Sequence, residues 1–437
     1  MANCIQCGTK LPTFSFGEVS PYCKACHAQH AQEAKPKVET PFTSVGHLSS
    51  PWLNATNVLI AISVTVFLVM VASGISWINP ETENLLHWGA NYGPDTLGGQ
   101  YWRVITSCFL HIGIIHLLLN MWCLWSLGRL LERLVGPATT VGVYLVTGVG
   151  SALLSLSWDP MRVSAGASGA IFGIAGTLIP ILYYGKLNQP PENIRKLLGY
   201  VVRFSLINLL YGLRGNIDNM AHLGGLATGL VAGLFLARSF SLPDEERTFQ
   251  RRTVVGVSAL ALALLTIPVA RAKSYAVELR KGQDSIEKKD YNSAIEHLKK
   301  YTAAQPDDPY GRALLGNAFQ EAKRYNEAAE QYELGLKLMP RYPFIQVNLA
   351  KIYFQLNKPE RAVELFRAAI PGMEPDADIY YWYAEALKAI GDLVEAETAV
   401  REAIRLNDKD FEAQSLLSEI LNAEGKAPRV QPEKRTH

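Results

Sequence analysis

Between Asn57 and Ala270 the chain carries seven long apolar runs, and runs of that length leave a polypeptide little choice but to enter a bilayer. They are Asn57–Ile78, Ile112–Leu134, Thr139–Trp158, Ser168–Tyr184, Lys196–Leu213, Asn219–Ala237 and Thr253–Ala270, each read as a membrane-spanning helix. With 49% hydrophobic and 19% charged residues, the chain is not of the disordered class. A net charge of +2 offers no electrostatic footprint for nucleic acid. The averages hide a division. From Lys273 onward the sequence is as charged as a soluble protein, whereas the first fifty residues hold four of the six cysteines. Met1 to Pro51 has no apolar stretch of the kind a signal peptide needs, so the first span is expected to stay in place.

Basic residues of short loops set the orientation. A cytoplasmic N terminus puts Arg129, Arg133, Lys186, Arg195, Lys196, Arg238, Arg247, Arg251 and Arg252 inside, and leaves Arg103, Arg162 and Arg214 outside. Seven spans then place the region after Lys273 outside; losing one span would return it to the cytoplasm.

Polar groups are costly in hydrocarbon, so those found there are functional candidates. The second span holds His116 and Asn120, the fourth opens with Gly166, Ala167, Ser168 and Gly169, and the sixth opens with Ala221, His222, Leu223, Gly224 and Gly225. All three spans run from outside to inside. Ser168, His222, His116 and Asn120 are therefore expected at one depth, ~5–15 Å below the outer surface at 1.5 Å per residue. The spacing of four puts His116 and Asn120 on one helix face. An alcohol needs a base within hydrogen-bond reach to become a nucleophile, and His222 can serve Ser168 in that way. His116, Asn120 and the amides at the start of the fourth span can meet the oxyanion of a tetrahedral intermediate. No carboxylate is expected at depth near these groups, so a Ser–His dyad rather than a triad is expected. Gly225, Gly229 and Gly233, with Gly169, Gly173 and Gly176, provide small-residue faces for close helix approach.

These residues resemble the rhomboid family of intramembrane serine proteases. The match runs from about Leu53 to Ser239 and includes Trp102-Arg103, the His116/Asn120 pair, Gly166-x-Ser168-Gly169 and Ala221-His222 with its glycines. The resemblance implies Ser168 as nucleophile, His222 as base, and His116 with Asn120 at the oxyanion. Phe172 stands where the family keeps an aromatic ring, often Tyr, against the imidazole. Glu132-Arg133 and Gly136 resemble a structural feature at the cytoplasmic end of the second helix, and six core spans plus one resemble the family's extended form. Taken singly, Ser168 can be a helix cap, His222 a packed core residue and Asn120 a contact between helices. His111 is read as structural, Cys108 as packing, and Cys123 as facing lipid or a neighbour.

Cys4-x-x-Cys7 and Cys23-x-x-Cys26, fifteen residues apart, match the spacing of a structural zinc ribbon with four thiolate ligands. Two disulfides or a redox pair are the alternative, which a cytoplasmic location disfavours. His27 and His30 can act as substitute ligands, but the four cysteines suffice and the histidines are expected to be exposed. So small a unit lacks a hydrophobic core, and metal binding would fold it. It is similar to zinc-ribbon modules of bacterial membrane proteins.

Past Lys273 a period of 34 emerges. Tyr291, Tyr325, Pro359 and Leu393 are spaced by it, as are Ala294, Ala328, Ala362 and Ala396, and Gly282, Gly316, Ala350 and Ala384. Pro306 and Pro340 close two repeats, while Glu374 and Asp408 replace the next two prolines. The period resembles that of tetratricopeptide repeats, four between about Tyr275 and Asp410, with Phe411–Ala423 as a capping helix. Stacked helix pairs present a concave face to protein or peptide partners. Of the aromatics Tyr310, Tyr380, Tyr381, Trp382 and Tyr383, most are expected in the repeat core.

The expectation is an all-α membrane protein: a zinc-ribbon-like knuckle pair at 1–28, a linker at 29–52, and a six-helix rhomboid-like core at 53–240. A linker and seventh span follow at 241–272, an α-solenoid of repeats at 273–424 and a tail at 425–437. The expected function is serine endopeptidase action on transmembrane protein substrates, with the repeats recruiting substrate or partner. Zinc would be structural, and no cofactor is needed for catalysis. A multi-pass place in a bacterial plasma membrane fits better than a mitochondrion, since no Arg-rich amphipathic presequence is present. The competing reading is a catalytically silent membrane scaffold that displays the repeats.

Overall fold

The computed structural model of the chain describes residues 54–213 and 217–425, together with Thr9 and Cys26. They fall into two compact units. One takes in the described residues up to Ala90, with Val104–Ser155 and Ser164–Ala263; the other takes in Asn91–Arg103, Leu156–Val163 and the chain from Leu264.

Seven long helices account for the apolar runs: α1 Ala55–Ala72, α2 Ile114–Val135, α3 Pro137–Trp158, α4 Ser168–Tyr184, α5 Pro191–Gly212, α6 Asn219–Arg238 and α7 Asp244–Ala272. Among the described residues, α1, α2, α3, α6 and α7 are long and apolar enough to cross a membrane, while α4 is a shorter apolar helix. α5 meets neither description; it carries Glu192, Arg195, Lys196 and Arg203. Three boundaries differ from the expected runs by more than two residues. α1 stops at Ala72, six residues before Ile78, and Gly74 follows at φ +89°. α5 starts at Pro191, where proline's fixed φ suits a first turn. α7 starts at Asp244, nine residues before Thr253, because Asp244, Glu245 and Glu246 complement a helix N-terminus.

Glu132, expected only as a structural feature of the second helix, caps a different one. Its carboxylate accepts the Ala55 N–H at 2.8 Å, the Thr56 N–H at 2.9 Å and the Thr56 hydroxyl at 2.6 Å, all at the start of α1. These are amides that an isolated helix leaves without acceptors. Glu132 is 1% exposed, and these three hydrogen bonds satisfy its buried oxygens at a positive helix end.

α4 and α6 lie backbone against backbone. A Cβ on Gly225 would stand 1.9 Å from the Gly169 carbonyl oxygen, and one on Gly229 would stand 2.0 Å from that of Gly173. Only glycine permits so close an approach. α7 is attached differently, with no buried residue along its length. The Arg251 guanidinium donates to the Val135 and Leu134 carbonyls at 3.1 and 3.2 Å and to the Ser239 hydroxyl at 3.0 Å. It thereby holds the last carbonyls of α2, which no intrahelical donor reaches.

The second unit stacks helices α8 Ser274–Glu287, α9 Tyr291–Ala304, α10 Pro309–Glu321, α11 Tyr325–Leu338 and α12 Pro343–Gln355, then α13 Pro359–Ala369, α14 Ala377–Ile390, α15 Leu393–Leu406 and α16 Phe411–Ala423. The period is visible in the helix starts: Pro309, Pro343, Ala377 and Phe411 are each 34 residues apart, as are Tyr291, Tyr325, Pro359 and Leu393. Asp290, Asp308, Asp376, Asp392 and Asp410 cap their helices through side-chain oxygens. The small residues make holes for side chains: Leu298 lies over Gly282, and the Tyr332 ring over Gly316. Where Glu374 replaces the expected proline, α13 is short and passes into a 3-10 turn at Ile370–Gly372. Of the five aromatics, Tyr383 is in the core, Tyr380, Tyr381 and Trp382 are half-buried against it, and Tyr310 is 44% exposed, so it is not a core residue.

This unit also contains the two segments that lead into α2 and α4. A short helix, Gly93–Leu97, packs on α8. Asp95 pairs with Arg103 at 3.3 Å and lies 3.9 Å from Arg280. The Gly93 amide donates to the Pro160 carbonyl at 2.8 Å, which ties the two segments together.

Candidate active site

The strand of chain before α4 is forced into shape by one glycine. Gly166 has φ +144°, and a Cβ there would meet the His116 ring at 2.8 Å. Its amide donates to the Ser107 carbonyl at 2.9 Å. Ser168 follows as the first residue of α4, where the amides of the first turn have no acceptor inside the helix.

His222 comes from the first turn of α6. Its Nε2 lies 2.9 Å from the Ser168 Oγ. The Phe172 ring, one turn along α4, stacks on the imidazole with centroids 4.3 Å apart and planes 16° from parallel. His222 is 7% exposed, and its Nδ1 has no hydrogen-bond partner among the described residues. When Nε2 accepts the Ser168 hydroxyl, the neutral ring carries its proton on Nδ1.

His116 faces the same spot from α2. The place a Gly166 Cβ would take is 3.1 Å from His116 Nε2 and 3.8 Å from Ser168 Oγ. The Ile112 amide lies 3.3 Å from His116 Nδ1 as donor, which assigns the ring proton to Nε2 and makes that atom a donor. Asn120 is 6% exposed and gives one amide hydrogen to the His116 carbonyl at 2.9 Å, so its other N–H is not committed to that bond. Ser168, His222, His116 and Asn120 thus come from three helices, and the first three ring one small volume. Such a set can transfer the serine proton to imidazole and place donors where an oxyanion forms.

His111 is fully buried, its ring edge-on to His116 at 5.3 Å, with Nδ1 3.3 Å from the Phe109 carbonyl. Cys108 is buried in the space left by Gly148, and Cys123 is half-buried. Arg103, beside the Trp102 ring, is 6% exposed.

The expectation that no carboxylate lies near the site needs correction. Asp218, directly before α6, is one turn from His222; its side chain accepts the Ala221 amide at 2.9 Å and the Ser155 hydroxyl at 2.5 Å. It makes no hydrogen bond to the imidazole in this structure, so no third member joins Ser168 and His222. The signal was in the sequence: an Asp immediately before a helix start is a strong capping residue. Of the four cysteines expected to bind zinc, Cys26 is described and buried, and Cys4, Cys7 and Cys23 lie outside the described residues, as do most of 1–28, the linker at 29–52 and the tail beyond Gly425.

Comparison with known proteins agrees with this arrangement at the level of family. A Rhomboid domain model matches residues 98–239, and tetratricopeptide repeat models match 279–344 and 357–420. The chain is 30% identical over 203 residues to Rhomboid protease AarA of Providencia stuartii, covering 42% of this chain and 71% of that protein. It is 29% identical over 306 residues to Rhomboid protease GluP of Bacillus subtilis (strain 168), covering 69% of this chain and 58% of the relative. RHOMBOID-like protein 6, mitochondrial, of Arabidopsis thaliana is 35% identical over 167 residues, covering 37% of this chain and 52% of the relative. The chain thus spans little more than half the length of the latter two relatives. Among solved structures, a MamA fragment from Desulfovibrio magneticus RS-1 aligns with 36% of this chain and 86% of its own at 19% identity and TM-score 0.33. The chain belongs to the rhomboid family, whose members are multi-pass membrane proteins, and it carries tetratricopeptide repeats after the rhomboid domain.

Proposed function

We propose that the chain is an intramembrane serine endopeptidase that cleaves transmembrane protein substrates. The observation that carries this reading is the Ser168 Oγ to His222 Nε2 distance of 2.9 Å, with the imidazole clamped by Phe172. Ser168 Oγ attacks the substrate carbonyl carbon while its proton passes to His222 Nε2. The oxyanion is met by His116 Nε2–H, the Asn120 amide and the first-turn amides of α4. Collapse breaks the C–N bond, and His222 returns the proton to the leaving amine. A water then attacks the acyl-enzyme by the reverse assistance, freeing the acid and Ser168. No metal is required by these steps.

All seven long helices are read as spans, with the N terminus inside and the repeats outside, in a bacterial plasma membrane. The side of the repeats follows from the count of seven spans and from the basic residues of the short loops. Repeats in the compartment of the site can recruit or measure substrate before it reaches Ser168. The cysteine spacing supports a structural zinc ribbon on Cys4, Cys7, Cys23 and Cys26, which metal analysis of the purified chain before and after Cys→Ser substitution tests.

The central test is covalent labelling by a fluorophosphonate, with cleavage of a reporter transmembrane segment in liposomes. The native chain is expected to label and to cleave, and Ser168→Ala and His222→Ala to do neither. Labelling that persists in Ser168→Ala refutes the assignment of the nucleophile. A native chain that neither labels nor cleaves leaves the silent scaffold as the better reading.

A further inference from the structure

We infer that Asp218 is a positioning residue for the proposed base, fixing where the His222 imidazole stands relative to Ser168; this rests on the hydrolase reading above. α6 packs on α4 through glycines, so contact with α4 sets how closely the two helices approach. His222 sits only in the first turn, where a helix frays most readily. Asp218 acts at that point. One carboxylate oxygen accepts the Ala221 amide at 2.9 Å and closes the first turn, and the Asp218 carbonyl accepts the His222 amide at 3.2 Å. The other carboxylate oxygen accepts the Ser155 hydroxyl at 2.5 Å. Ser155 is 2% exposed and belongs to α3, so the cap ties the base-bearing turn to a third helix. Gly224 lies on the same seam, where a Cβ would stand 2.6 Å from the Gly150 carbonyl of α3. Phe172 fixes the tilt of the imidazole, and Asp218 with Ser155 fixes the height and rotation of the turn that bears it.

An asparagine can make both contacts, accepting from Ala221 and exchanging a hydrogen bond with the Ser155 hydroxyl, and it caps helices about as well as aspartate. Alanine can make neither. The test uses the full chain in liposomes, with kcat and KM for the reporter segment and with fluorophosphonate titration to count competent sites. Asp218→Ala is expected to lower kcat per titrated site about 10- to 100-fold, as displacement of a reacting group by about 1 Å does, while KM stays within about 2-fold. Asp218→Asn is expected within about 3-fold of the native kcat, and Ser155→Ala in between. Because kcat is counted per competent site, misfolded protein does not enter it, and Asp218→Asn and Ser155→Ala remain readable if the alanine variant does not fold. A native kcat in Asp218→Ala overturns the inference, as does an Asp218→Asn variant as impaired as the alanine one, which would assign the effect to charge. A native chain that fails to label overturns both this inference and the reading beneath it, whereas a labelled native chain with an indifferent Asp218 overturns this one alone.

Discussion

The two units bury small residues for opposite reasons. Between α4 and α6 a glycine lets one backbone touch another, and the atom that an added methyl would strike is a carbonyl oxygen. In the repeats a small residue makes a hole for a side chain: Tyr332 lies over Gly316, and Phe366 occupies the equivalent position in the next repeat, where the small residue is Ala350. The fold thus accepts a methyl at this point of the repeat. A backbone contact has no rotamer with which to yield, whereas a side-chain contact can shift. Precision is therefore concentrated where Ser168 and His222 must meet, and the solenoid is the more tolerant body.

The contrast can be broken by substitution. Ser168→Ala should have the largest effect, a fall in cleavage on the order of 10⁴-fold or more, with the helical circular dichroism of both units unchanged. Asn120→Ala should lower kcat about 10²- to 10³-fold at little changed KM if its free N–H meets the oxyanion; an unchanged kcat would make Asn120 a helix-packing residue. Gly225→Ala should cost about 1–3 kcal/mol in thermal unfolding in detergent, and more in activity than in stability, since it pushes His222 from Ser168. Gly316→Ala should cost no more than about 1 kcal/mol, because the gain in helix propensity offsets pressure on the Tyr332 ring. Equal losses at Gly225 and Gly316 would erase the distinction between the two packings.

The smallest effect is electrostatic. Hydrogen bonds from Arg367, then from Tyr383, hold the Glu395 carboxyl below its usual range, so its contribution is complete above the unfolded carboxylate range near pH 4.3 and is lost as pH falls through the lower folded value. The Arg367 pair is solvent-screened, so Glu395→Gln should barely shift the thermal transition at pH 7, and the small difference should shrink as pH falls below the usual carboxylate range.

Much of this was readable from residue order. The period of 34 located the repeat helices because each repeat solves the same packing problem with the same residue types. Ser168, His222, His116 and Asn120 stood out because polar groups in apolar runs are rare. What escaped were contacts whose meaning depends on a distant partner. Glu132 reads as the end of its own helix until α1 is seen resting on it, and Asp218 reads as no more than a helix cap until Ser155 is seen beneath it. The exposed Tyr310 shows the same limit, since an aromatic residue near the core period does not reveal which side of the solenoid it faces.

The Glu132 clasp has a mechanical consequence. A helix whose first amides are gripped by a carboxyl group on its neighbour cannot slide along that neighbour to match the thickness of the surrounding lipid. α1 has 18 residues and α4 has 17, about 27 and 25 Å at 1.5 Å per residue, against a hydrocarbon layer of about 30 Å. Because the clasp ties α1 to α2, the two helices must answer such a mismatch together, as a pair, rather than each by its own shift.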